Sequence, residues 1–157
     1  MKAKYLLTIF LGFLVAVIGQ SFCSQLQIGK AILNLPLIVL IFYCFLSKDD
    51  LNNLIIAFAM AFFLELNSSD YGLYFTSFLL LWLALKIVVK MISEKNLLSF
   101  AVISFGSIAF FQLLFFLSSL FLKSSARYFN WQSLLYNFLF AMVVYLIYDF
   151  AKKKIQN

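Results

Sequence analysis

The chain has 157 residues, 65% of them hydrophobic and 11% charged, with a net charge of +6. Soluble domains hold about 25% charged and 45–50% apolar residues, so a water-soluble fold of this length could not bury so much apolar surface, and lipid is the expected solvent. There is no histidine, which excludes imidazole metal ligands and histidine acid–base catalysis. The 12 lysines and arginines are scattered between apolar runs and form no stripe suited to a nucleic acid.

Six apolar segments follow one another in a single domain, 1–157. The first, 5–21, follows Lys2 and Lys4 and so imitates a secretory leader. Phe22 stands before Cys23 where a lipoprotein needs a small residue, and residues 20–24 make a poor cleavage site, so the segment is expected to remain as a first span. Its Gly12 and Ala16 form a small-xxx-small pair that would let a second helix approach closely. The second segment, 31–46, carries Pro36 near its start, where the ring removes a donor and should kink the helix. The third, 51–66, should be capped by Asp49 or Asp50, and the fourth, 71–89, by Ser69 or Asp70. The fifth, 97–122, is long enough to tilt, and its Ser104, Gly106 and Ser107 make a small-residue patch. The sixth, 131–150, should be capped by Asn130, and Asp149 should pair with Lys152 or Lys153 one turn on.

The expected fold is an all-α integral membrane protein of about six transmembrane helices. The second and third segments fall just short of the roughly 17–25 residues that a spanning helix needs. A re-entrant hairpin turning at 47–50 is the alternative, and it leaves four spans. The runs are too long and too uniform for membrane strands. With six spans, Lys2, Lys4, Lys48, Lys86, Lys90, Lys95, Lys152, Lys153 and Lys154 share one side. Lys30, Lys123 and Arg127 occupy the other. The positive-inside rule then puts both termini in the cytoplasm. Tyr5, Tyr71, Tyr74, Trp131, Tyr145 and Tyr148 fall near span ends, where aromatic belts form.

Few polar residues interrupt the spans. Glu65 has two readings: a functional intramembrane carboxylate, or an acid at the water interface beside the polar turn 67–70. Gln112 and Asn137 are expected to be buried and to hydrogen-bond across helices, while phenylalanine-rich faces meet lipid. Cys23 and Cys44 have no metal or redox spacing. No nucleophile–base pair, phosphate-binding glycine loop or chain of intramembrane acids is visible. The sequence therefore reads as non-enzymatic, with no cofactor and no metal.

The stretch Asn34-Leu35-Pro36-Leu37-Ile38-Val39-Leu40 resembles the opening of the second helix in the rod shape-determining protein MreD family. The stretch from Ala61 to Leu73, with Glu65 followed by a polar turn and Gly72, is similar to a second motif of that family. There an acid, a short turn and a glycine open the next helix. Aspartate is usual in the family where this chain has Glu65, and glycine is frequent where it has Ala61. The resemblance implies a non-catalytic scaffold of sidewall peptidoglycan synthesis in the bacterial cytoplasmic membrane, docked by its helices to partners such as MreC. Pro36, Glu65, Gly72, Gln112 and Asn137 are the interaction candidates, and Glu65→Ala is expected to weaken assembly more than folding. It also implies a fold similar to the substrate-binding subunits of energy-coupling-factor vitamin transporters. Such a subunit is the alternative function, with Glu65, Asn67 and Asp70 as candidate pocket groups.

Overall fold

The computed structural model describes residues 3–23, 27–66, 72–121 and 129–156. Among them are six helices: α1 (Ala3–Cys23), α2 (Leu35–Leu46), α3 (Asp50–Leu66), α4 (Leu73–Met91), α5 (Leu97–Phe121) and α6 (Trp131–Gln156). No strand occurs among the described residues; a single isolated bridge joins Ile28 and Ala31. Helices α4, α5 and α6 are long and apolar enough to cross a membrane. The others are shorter in apolar extent: Tyr5–Gly19 within α1, the 12 residues of α2, and the 17 of α3, which include Asn52, Asn53 and Glu65.

The second helix corrects the sequence reading. It begins at Leu35, not at 31, because Asn34 caps it by accepting the Leu37 amide at 3.1 Å. Pro36 lies in the first turn, where its missing N–H has no intrahelical partner to lose. It therefore helps to start the helix and does not kink it. Twelve residues rise about 18 Å, well short of the roughly 30 Å of a bilayer core.

This short helix is the centre of the bundle. Helices α1, α3, α4, α5 and α6 are neighbours in that order, and each of them touches α2. Leu37, Ile38, Leu40, Ile41 and Phe45 are fully buried, as expected of a helix that is apolar all round. The hairpin to α3 turns at Ser47 and Lys48, where Asp49 accepts the Asn52 amide at 3.1 Å and caps α3. Asn52 ties three helices together at this end. Its side-chain oxygen accepts from the Thr8 hydroxyl at 2.7 Å, and its amide nitrogen donates to the Tyr43 hydroxyl.

The small residues of α1 face inward. Gly12 lies on α3 so closely that a Cβ would stand 2.9 Å from the Ala59 Cβ. Gly19 lies on Pro36, with 2.6 Å between such a Cβ and the ring Cδ. Ala16, between them on the same face, is fully buried. The second helix that this small-residue pair admits is thus α3 of the same chain. In α5, Ser104 and Ser107 turn inward, whereas Gly106 faces open space.

Phenylalanine also divides differently from expectation. Phe58, Phe62, Phe105 and Phe150 are exposed, but Phe45, Phe78 and Phe100 are fully buried. Tyr145, expected in an interfacial belt, is buried and stacks on Phe100 at 4.5 Å between ring centroids. Phe45 meets both rings edge-on. Asp149 pairs with Lys153 at 2.8 Å, as helical spacing suggested.

Gly19→Leu is expected to destabilise the protein by about 1–3 kcal/mol, since the added carbons must displace Pro36. Gly106→Ala should leave it unchanged or slightly more stable. Thermal unfolding of both variants in mild detergent checks the difference.

Candidate functional site

Residues 31–34, before α2, are extended, which leaves peptide groups along 30–34 in need of partners outside a helix. Asn130, which precedes α6, and two side chains within that helix satisfy them in sequence. Asn130 Nδ2 donates to the Lys30 carbonyl at 2.8 Å. Ser133 Oγ accepts the Ile32 amide at 3.1 Å. Asn137 Nδ2 donates to the Ile32 carbonyl at 2.9 Å, and its Oδ1 accepts the Asn34 amide at 2.6 Å. The register follows from geometry. Two extended residues advance about 6.6 Å and four helical residues about 6 Å, so the step from Ile32 to Asn34 matches the step from Ser133 to Asn137 on α6. Ala31 and Leu33, on the opposite side of the extended segment, are buried in the core.

Asn137 is therefore buried, as expected, but its partner is the backbone leading into α2 rather than a side chain of another helix. Gln112 is half-buried and does reach across helices. Its nitrogen faces the Asn130 carbonyl at 3.3 Å and its oxygen faces the Leu134 amide at 3.2 Å, at the start of α6. Asn130 also caps that helix, accepting the Gln132 amide at 3.0 Å and the Ser133 amide at 3.3 Å.

Glu65 and Gly72 form a second assembly. One carboxylate oxygen accepts the Gly72 amide and the other accepts the Phe75 amide at 2.9 Å. The acid closing α3 thus caps the start of α4, where the helix dipole favours negative charge. Gly72 takes φ +89°, a conformation that side chains other than glycine rarely adopt. Ser69 and Asp70, expected as caps, lie outside the described residues, as do Asn67 and Tyr71.

Above these contacts is a cavity of about 730 Å³ between α4, α5, α6 and the segment leading into α2. Tyr74, Phe111, Phe115 and Trp131 give it aromatic walls, and Gln112 and Asn130 are among its polar groups. Glu65 is not among the residues lining it. Of the five interaction candidates, Gln112 and Asn137 meet at this cavity, Glu65 and Gly72 meet at the α4 cap, and Pro36 stands under Gly19. Sequence reasoning did not single out Ser133, Asn52 or Asn53. The i, i+3, i+7 spacing of Asn130, Ser133 and Asn137 was the available signal for the first. In comparisons with known proteins, no family model matches the chain, and no curated protein or solved structure is found to be similar.

Because Glu65 holds backbone amides of its own chain, Glu65→Ala is expected to act on folding, with a loss of about 1–2 kcal/mol. That reverses the expectation of an effect mainly on assembly. Asn137→Leu should cost about 1–3 kcal/mol by leaving the Ile32 carbonyl and Asn34 amide unpaired. Both are measured by thermal unfolding in detergent, and Glu65→Gln, which keeps one acceptor, should fall between wild type and Glu65→Ala.

Proposed function

We propose that this protein is a non-catalytic scaffold of the bacterial cell-wall elongation machinery. It would sit in the cytoplasmic membrane with both termini inside and dock helix to helix with MreC. The reading is supported by one observation above the others: the residues that carry the resemblance to the MreD family have joint physical roles. Glu65 and Gly72 meet at one helix cap, and Pro36 opens the helix around which the bundle is arranged. The shorter helices complete the crossings in this reading, α2 together with its extended lead-in.

The docking surface on this reading is an apolar groove of about 450 Å³ between α1, α3 and α4, floored by Ala59 and walled by Ile9, Phe13, Phe58, Phe62 and Leu79. Phe58 and Phe62 stack on each other at 6.3 Å and remain exposed. With lipid as solvent there is little hydrophobic drive between helices, so association depends on shape and close van der Waals contact, which a groove supplies. A single-span partner such as MreC fits that requirement.

The vitamin-transporter reading keeps a specific observation in its favour, the cavity of about 730 Å³ with aromatic walls and a few polar groups. Its size and lining are those of a small-molecule site.

Photo-crosslinking groups placed at Phe58 and at Leu139, which is exposed on α6, separate the two. The scaffold reading expects MreC to be captured from Phe58 and not from Leu139. Phe58→Ala should lower its recovery by roughly 5- to 30-fold, the effect of truncating an interface aromatic. Recovery of ATPase subunits, or of a stoichiometric small molecule that Gln112→Leu abolishes, would overturn it in favour of the transporter subunit.

A further inference from the structure

The opposite end of the bundle holds a second cavity, about 360 Å³, that neither reading uses. Four lysines from three separate segments line it: Lys48 in the α2–α3 turn, Lys86 and Lys90 on α4, and Lys95 in the α4–α5 turn. Among the described residues, Asp50 is the only acid in the lining. Its carboxylate pairs with Lys90 at 2.7 Å and with Lys86 at 3.4 Å. The neighbouring Asp49 is turned to the α3 amides, capping Asn52. Lys95 donates to the Leu46 carbonyl at the end of α2, at 3.2 Å. The lining therefore carries a surplus of three positive charges at one spot. Burial, and then the charge of Lys48, push the Lys95 ammonium below its usual value, the direction that crowded cations produce.

Two further features point to a ligand rather than to a merely solvated basic face. Asn53 lines the cavity and is 6% exposed, yet its side-chain oxygen is buried with no hydrogen-bond partner among the described residues. Buried acceptors are nearly always satisfied, so a donor is missing from this site. Ser47 and Ser93 also line the cavity, the rest of its wall is apolar, formed by Cys44, Trp82, Leu85, Val89 and Ile92, and α4 carries the exposed apolar Leu83, Ile87 and Val88 as well. Cations, an orphaned acceptor and an apolar flank match, in that order, a phosphate, a hydroxyl and an acyl chain.

We propose that this cavity binds the headgroup of an anionic phospholipid, its phosphate among Lys48, Lys86, Lys90 and Lys95 and a headgroup hydroxyl donating to Asn53. Basic pockets between transmembrane helices are suited to such headgroups. A free phosphate shares the anionic chemistry but has no use for the apolar flank. The site does not depend on which partner or substrate the protein serves.

The test uses the full-length protein in mild detergent, read by native mass spectrometry and by thermal shift. Phosphatidylglycerol, which has both phosphate and hydroxyls, should be retained at least ~10-fold over zwitterionic phosphatidylcholine and should raise the unfolding temperature. Lys48→Gln with Lys95→Gln should reduce that retention roughly tenfold or more. Asn53→Leu should narrow the preference for phosphatidylglycerol over phosphatidic acid, which has the phosphate without the glycerol headgroup. Equal retention of phosphatidylcholine and phosphatidylglycerol by the wild-type protein would overturn the proposal even if the variants failed to fold. Displacement of the lipid's effect by millimolar inorganic phosphate would overturn it in favour of a soluble anion.

Discussion

The constraint on which this fold depends is that the extended backbone before α2 must be hydrogen-bonded by groups outside itself. Ala31 bonds back to Ile28, but other residues must satisfy the Lys30 carbonyl, both peptide groups of Ile32 and the Asn34 amide. Asn130, which precedes α6, and Ser133 and Asn137 within it do so. That arrangement fixes where α2 begins, because Asn34 is held by Asn137 through its backbone while its side chain caps the helix. Since α2 lies against all five other helices, the position of its first turn sets the register of the whole bundle.

Around that centre, close approach is made possible by missing side chains rather than by added attraction. Gly12 and Gly19 remove the carbons that would hold α1 away from Ala59 and Pro36. The aromatic cluster of Phe45, Phe100 and Tyr145 fills the far side of α2. Edge-to-face and offset ring contacts of this kind add about 0.5–1.5 kcal/mol each beyond area burial. The two ends of the bundle differ in chemistry: amides and aromatic rings line the cavity beside Asn130, and lysines line the one beside Asp50.

Glu65 and Asn137 illustrate how a polar residue in an apolar helix is explained. Glu65 was open to a functional reading because a carboxylate in an apolar helix is costly. Its two hydrogen bonds to the first turn of α4 account for its presence structurally. The same holds for Asn137, whose amide makes three hydrogen bonds, to Asn34, Ile32 and Ser133. Asn53 differs, since its buried oxygen has no such partner among the described residues.

The sequence by itself determined the number of helices, their approximate bounds and two of their caps, Asp49 and Asn130. These are local properties: a long apolar run must close its own hydrogen bonds, and Asp49 or Asn130 can cap only the helix that follows it. The tertiary structure alone decided the rest. The start of α2 depends on Asn137, 103 residues away, and the cap of α4 on an acid across an intervening turn. It also decided which phenylalanines are core and which are lipid-facing. Lipid tails are as apolar as a protein interior, so hydrophobicity carries no signal that separates Phe45 from Phe58. Only the positions of the neighbouring helices do.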